Sequence, residues 1–96
     1  KNLVWLAADV HYAQGARLDP FGDGTLICHE LICGPLFAIR SVPPALDTTF
    51  HPEVKFAEGN LFNFGEVSVD AASRQLTARI RDTRGEVRHE LAIPPR

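Results

Sequence analysis

The sequence predicts a mostly-β chain belonging to a layered α/β (α+β) domain and closed by a three-stranded antiparallel meander. Three observations lead there. Leu3 to Ala8 is a short, continuous apolar run containing Val4 and Trp5, the pattern of a strand buried on both faces. The middle of the chain is broken by Gly34-Pro35, Pro43-Pro44, Pro52 and Gly59 and has little periodicity. The last third alternates apolar and polar residues in three runs separated by hairpin-length turns.

The first run ends in Asp9-Val10-His11-Tyr12. From Tyr12 to Gly24 the chain reads as a loop, punctuated by Gly15, Asp19-Pro20, Gly22 and Gly24. Thr25 to Cys33 is apolar again and fits either a strand or a short helix, because Cys28-His29-Glu30 blurs both periods. Gly34-Pro35 ends it sharply, since proline fixes its own φ and drives the preceding residue out of the helical region. Leu36 to Asn63 shows no clear element, which is unusual for a compact isolated domain and suits a segment crossing the surface of something larger.

The closing runs are Gly65 to Asp70, Gln75 to Arg81 and Val87 to Ile93. Parity places Val67, Val69, Leu76, Ala78, Ile80, Val87, Leu91 and Ile93 toward the core. Arg79, Arg81, Arg88 and Glu90 fall on a solvated face, and His89 reads as a sheet-packing or edge residue.

A chain of 96 residues is at most one small domain, which alone buries little more than ~60% of its unfolded surface. Its 45% hydrophobic and 23% charged residues exclude a disordered tail, and no apolar run reaches the length of a membrane span. Ten basic residues against twelve acidic ones give no electrostatic reason to expect nucleic acid. Cys28 and Cys33 lie an odd number of positions apart, on opposite faces of an extended strand, and read as small core residues rather than a disulfide. The start at Lys1-Asn2, directly in a strand and with no methionine in the chain, is expected of a piece of a longer polypeptide.

Asp9 and His11 are the residues with chemistry to offer. In an extended chain, positions i and i+2 share a side, roughly 6.5–7 Å apart. A carboxylate and a neutral imidazole delivered together at a strand end can serve adjacent metal ions such as iron, zinc or manganese. Tyr12, on the other face, would pack or hydrogen-bond behind them. Asp-x-His is common by chance, however, and two ligands do not make a dinuclear site. His29, Glu30, His51, Asp19 and Asp23 are further candidates without diagnostic spacing. On the residues alone, a small β-rich binding or assembly module with structural Asp9 and His11 stands beside the metal reading.

Taken together, several segments resemble the PhoD-like alkaline phosphatase and phosphodiesterase family, also called alkaline phosphatase D. Val4-Trp5-Leu6 through Ala8-Asp9-Val10-His11-Tyr12 resembles its "vWLtaDvHy" motif. In order follow Asp19-Pro20, Glu30 to Leu36, Ala45 to Val54 and Phe64 to Asp70, each similar to a family segment. The departures are Phe37-Ala38-Ile39, where the family carries a histidine and a glycine, and His51 in place of a glycine.

The resemblance implies a metallophosphoesterase-type β-sandwich flanked by helices, of which residues 1–96 would be the C-terminal part. It implies a hydrolase of phosphate mono- and diesters acting through a metal-activated hydroxide, with Asp9 and His11 as metal ligands. The cofactors would be divalent or trivalent ions, iron with calcium in some members. The remaining ligands would lie upstream, so the chain alone is expected to be inactive and partnered by the rest of its polypeptide. The family also implies a secreted or periplasmic location.

Overall fold

In the computed structural model, which describes residues 2–96, the chain consists of seven strands in two sheets. They are β1 (Asn2–Ala7), β2 (Ala13–Leu18), β3 (Ile27–Ile32), β4 (Glu53–Glu58), β5 (Asn63–Val69), β6 (Leu76–Asp82) and β7 (Val87–Ile93). No helix occurs among the described residues, so the α part of the expected α/β class is corrected: this chain is all-β. The ambiguous segment after Thr25 is a strand because β3 is central, paired with β1 on one side and β2 on the other.

The first sheet has the order β1-β3-β2-β4, with β1 parallel to β3 and the remaining pairs antiparallel. The second is the expected meander β5-β6-β7. The turns between its strands are made by polar side chains. Asp70 Oδ1 accepts the backbone N–H groups of Ala72 and Ser73, and Asp82 Oδ1 accepts those of Arg84 and Glu86, the side-chain turns these residue types favour.

The sheets pack face to face through Leu31 of β3 and Ala78 and Ile93 of the meander, with Val4, Leu76 and Leu91 against them. At the other end of β7, His89 stacks on Phe56 of β4, ring centroids 4.8 Å apart. The stretch of β7 from His89 to Ile93 therefore reaches from β4 at one edge of the first sheet to β1 at the other. Four residues of strand cover ~13 Å and three inter-strand gaps ~14 Å, so β7 crosses the first sheet's strands rather than following them.

Three expectations are corrected. Leu3 to Ala8 is not buried on both faces: β1 is an edge strand with β3 as its one neighbour, and Leu3, Trp5 and Leu6 are 42%, 60% and 63% exposed. The loop drawn from Tyr12 to Gly24 contains β2, and the irregular middle contains β4. The meander's parity holds as far as the bulge in β7, which pairs Val87 with the outward-facing Arg81 and turns Arg88, expected on the solvated face, to Glu58 of the first sheet. Of the residues expected in the core, Ala78, Ile80 and Ile93 are buried and Leu76 and Leu91 half-buried; Val67 and Val69 are exposed, because no first-sheet strand lies beyond β1 to cover that edge.

The irregular segment between β3 and β4 lies over the outer face of the first sheet. Pro44, Leu46 and Asp47 close a groove whose floor includes Gln14, Ala16 and Glu30. Backbone bonds anchor it, from Ser41 N–H to His11 O at 2.9 Å and from Asp19 N–H to Phe50 O at 3.0 Å.

Candidate functional site

β1 ends at Ala7, and the chain then bends through Asp9 and His11, both in the left-handed region with φ of 77° and 67°. The expectation that an extended backbone sets them on one side is therefore corrected: their relation is set by two left-handed residues flanking Val10. Aspartate and histidine tolerate this region better than most side chains, yet each such residue costs on the order of 1 kcal/mol or more. The bend is held from both ends. Cys33 N–H donates to Ala7 O at 3.2 Å, and Ser41 N–H donates to His11 O at 2.9 Å. Asp9 is exposed and His11 half-buried, both just past the C-terminal ends of the parallel pair β1 and β3.

The side chains fit a metal only as part of a donor set. Carboxylate and imidazole are the right chemistry for iron, zinc or manganese, but among the described residues no group of three His, Cys, Asp or Glu side chains is placed to hold an ion. The other candidates lie elsewhere. Tyr12 turns into the outer-face groove with Gln14, Glu30 and Asp47.

Asp19 follows β2 at the opposite end of the sheet. Its carboxylate accepts the N–H groups of Gly22 at 3.0 Å and Gly24 at 3.1 Å, while His51 Nδ1 meets its backbone oxygen at 3.0 Å. Asp23 accepts from the hydroxyl and N–H of Thr25, bonds that hold its carboxyl below the usual range. His29 faces the inter-sheet space. Both cysteines are free, Cys28 buried and Cys33 half-buried.

Two features went unmarked in the sequence. Asn63, at the start of β5, is fully buried; its Oδ1 accepts Gly34 N–H at 2.8 Å, and its Nδ2 donates to Gly34 O and Leu61 O, both at 3.0 Å. It clamps the segment leaving β3, beside the Asp9–His11 bend. Nothing in Phe62-Asn63-Phe64 announces it.

The second feature is a pair of β-bulges. Gly15 pairs with Phe56 and Ala16 with Val54, leaving Lys55 as the extra residue; Ile80 pairs with His89 and Arg81 with Val87, leaving Arg88. Bulges re-aim side chains, and here each re-aims a cation. Arg88 and His89 both reach Glu58, at 2.5 and 2.7 Å, and tie the two sheets together. Partial burial raises the Glu58 carboxyl pKa, but the bonds from Arg88 and His89 outweigh it and the net shift is downward. Gly15 inside a strand was the available signal for the first bulge.

No protein-family model, curated protein or solved structure matches the chain.

Proposed function

We propose that the chain is the C-terminal segment of a metal-dependent phosphoesterase of the metallophosphoesterase type, to which it contributes Asp9 and His11 as metal ligands. The reading rests on the ordered PhoD-like segments, and the observation that carries it is the Asp9–His11 bend. Two non-glycine residues held in the left-handed region on either side of Val10, just past the C-terminal ends of parallel strands, are backbone strain of the kind that concentrates at functional sites. When bound, the metal ions supply Lewis-acid polarisation of a phosphate ester and a hydroxide nucleophile.

The chain's own part is to present one carboxylate and one imidazole from a fixed bend, with Ser41 and Cys33 holding its backbone. The rest of the polypeptide supplies the remaining ligands, and the family's secreted or periplasmic setting comes with the reading.

The test is made in the longer polypeptide. Asp9→Ala and His11→Ala are each expected to lower bound metal and cut phosphodiester hydrolysis by at least about 100-fold, a loss typical of removing an essential group. Unchanged metal content and rate would end the proposal. The 96-residue chain alone is expected to show no metal-dependent hydrolysis of bis(p-nitrophenyl) phosphate.

A second reading, an assembly module in which Asp9 and His11 only shape the bend, is favoured by one observation: β1 leaves Trp5 and Leu6 exposed. It predicts that Asp9→Asn, which keeps the turn but changes the ligand, leaves metal content and function untouched.

A further inference from the structure

We propose that the mouth of the sandwich, where the end of β7 meets the first sheet, is a binding site for a phosphate monoester, gripped by Arg17, His29 and Lys55. The three come from adjacent strands. Arg17 of β2 pairs directly with His29 of β3, and the β4 bulge turns Lys55 toward the same cavity of about 350 Å³. Ile27, Leu91 and Pro94 give that cavity apolar walls. Its volume lies in the range of small-molecule sites, more than an inorganic ion needs and enough for an esterified organic group.

Two further observations single this cavity out. Among the described residues, the buried side-chain atoms lacking any hydrogen-bond partner are Asn2 Oδ1 and His29 Nδ1, and both residues line it. Buried polar atoms are almost always paired. An unpartnered imidazole nitrogen beside two cations is an arrangement that receives an oxyanion, and an unpartnered amide oxygen receives a hydroxyl. A phosphate monoester of a hydroxylated molecule carries both.

The positive charge is also poorly neutralised. Lys55 is paired with Glu53, but Arg17 takes part in no ion pair with a described residue. This happens in a chain whose net charge is -2. Burial first, then the charges of Arg17, Lys55 and Arg96, push the His29 pKa down. These three cations are the charged groups that face His29, with Glu53 opposite Arg17 as the counter-charge. A bound dianion reverses that balance and raises the His29 pKa.

The site does not depend on the metal reading. Asn2 opens β1 and Asp9 follows its end, so about seven residues of extended chain, ~20 Å, separate the two.

The experiment is an NMR titration of the 96-residue chain with inorganic phosphate, glycerol phosphate and sulfate, following the His29 ring protons. Saturable shifts are expected with both phosphates, with glycerol phosphate the tighter, and His29 should titrate at higher pH when it is bound. Arg17→Gln and Lys55→Gln should each weaken glycerol phosphate about tenfold, the effect of losing one charge-assisted hydrogen bond. Arg84→Gln, in the exposed turn after β6, should bind as the parent does. Amide spectra that superpose outside the cavity show that the variants fold. The proposal is overturned if no probe saturates, if sulfate alone does, or if both folded variants bind like the parent.

Discussion

Asn63 shows how much of this fold rests on one side chain. Its fully buried amide satisfies half-buried Gly34 at both backbone groups and half-buried Leu61 at its carbonyl, while its own backbone N–H donates to Pro35 O at 2.8 Å. Asn63→Leu keeps the volume and removes every side-chain bond, leaving three partly buried backbone groups without their partner. The expected loss is about 3 kcal/mol, read as a lower urea midpoint with an unchanged slope; a loss below about 1 kcal/mol would show that water replaces the amide.

The residues singled out Asp9 and His11 as candidate ligands but not this clamp beside them, because residue type marks a candidate donor and cannot mark a buried amide. Nor did they mark the bend's geometry. Asp-x-His is legible as a pair, but the left-handed φ values belong to a bend whose flanking backbone bonds, to Cys33 and Ser41, come from distant segments.

Among the elements, the meander was legible and β2 and β4 were not, for reasons visible in their residues. β6 and β7 alternate cleanly and their turns carry Asp70, Asp82 and Gly85. β2 reads Ala13-Gln14-Gly15-Ala16-Arg17-Leu18, with no β-branched or aromatic residue to mark a strand. Gly15 is there for space: a Cβ at that position would fall inside contact distance of the Phe56 ring. Gly15→Ala should displace Phe56 from its stack on His89, costing about 1–3 kcal/mol and shifting the His89 ring resonances. Normal stability with unmoved His89 signals would refute that packing.

In β4 the extra residue Lys55 shifts the alternation, hiding the strand from a period-two reading. The same region gives a pH dependence. The Glu58 carboxyl is held below its usual value of 4.5 by Arg88 and His89. Its stabilising contribution is thus complete above the unfolded pKa and disappears as pH falls through the lower folded one. Glu58→Gln should lower the urea midpoint at pH 7 and flatten its decline between pH 5 and pH 3; parallel profiles for the two proteins would show that the inter-sheet pairs add nothing.

For the whole molecule, the surface is larger than the mass calls for. A compact monomer of 10.6 kDa is expected to expose about 5,500 Å², and this chain exposes 6090 Å². The excess has a location. Leu6 and Val67 line one small inter-sheet cavity, and both are exposed, as are Trp5 on the other face of β1 and Val69 at the end of β5.

The core is therefore open along the β1/β5 edge, on the strand that sequence reading placed in a protein interior. If the proposed function is right, upstream sequence covers that edge in the longer polypeptide. Trp5 is the one tryptophan and 60% exposed, which makes it a clean reporter. In the 96-residue chain, held monomeric by dilution and checked by sedimentation, its emission should match that of tryptophan in water and be freely quenched by acrylamide. In the longer polypeptide the emission should move to the blue and the quenching should fall severalfold. A blue-shifted, protected Trp5 in the isolated monomer would contradict the open edge itself. An exposed Trp5 in both proteins would leave the edge open and remove the reason to place β1 inside a larger sandwich.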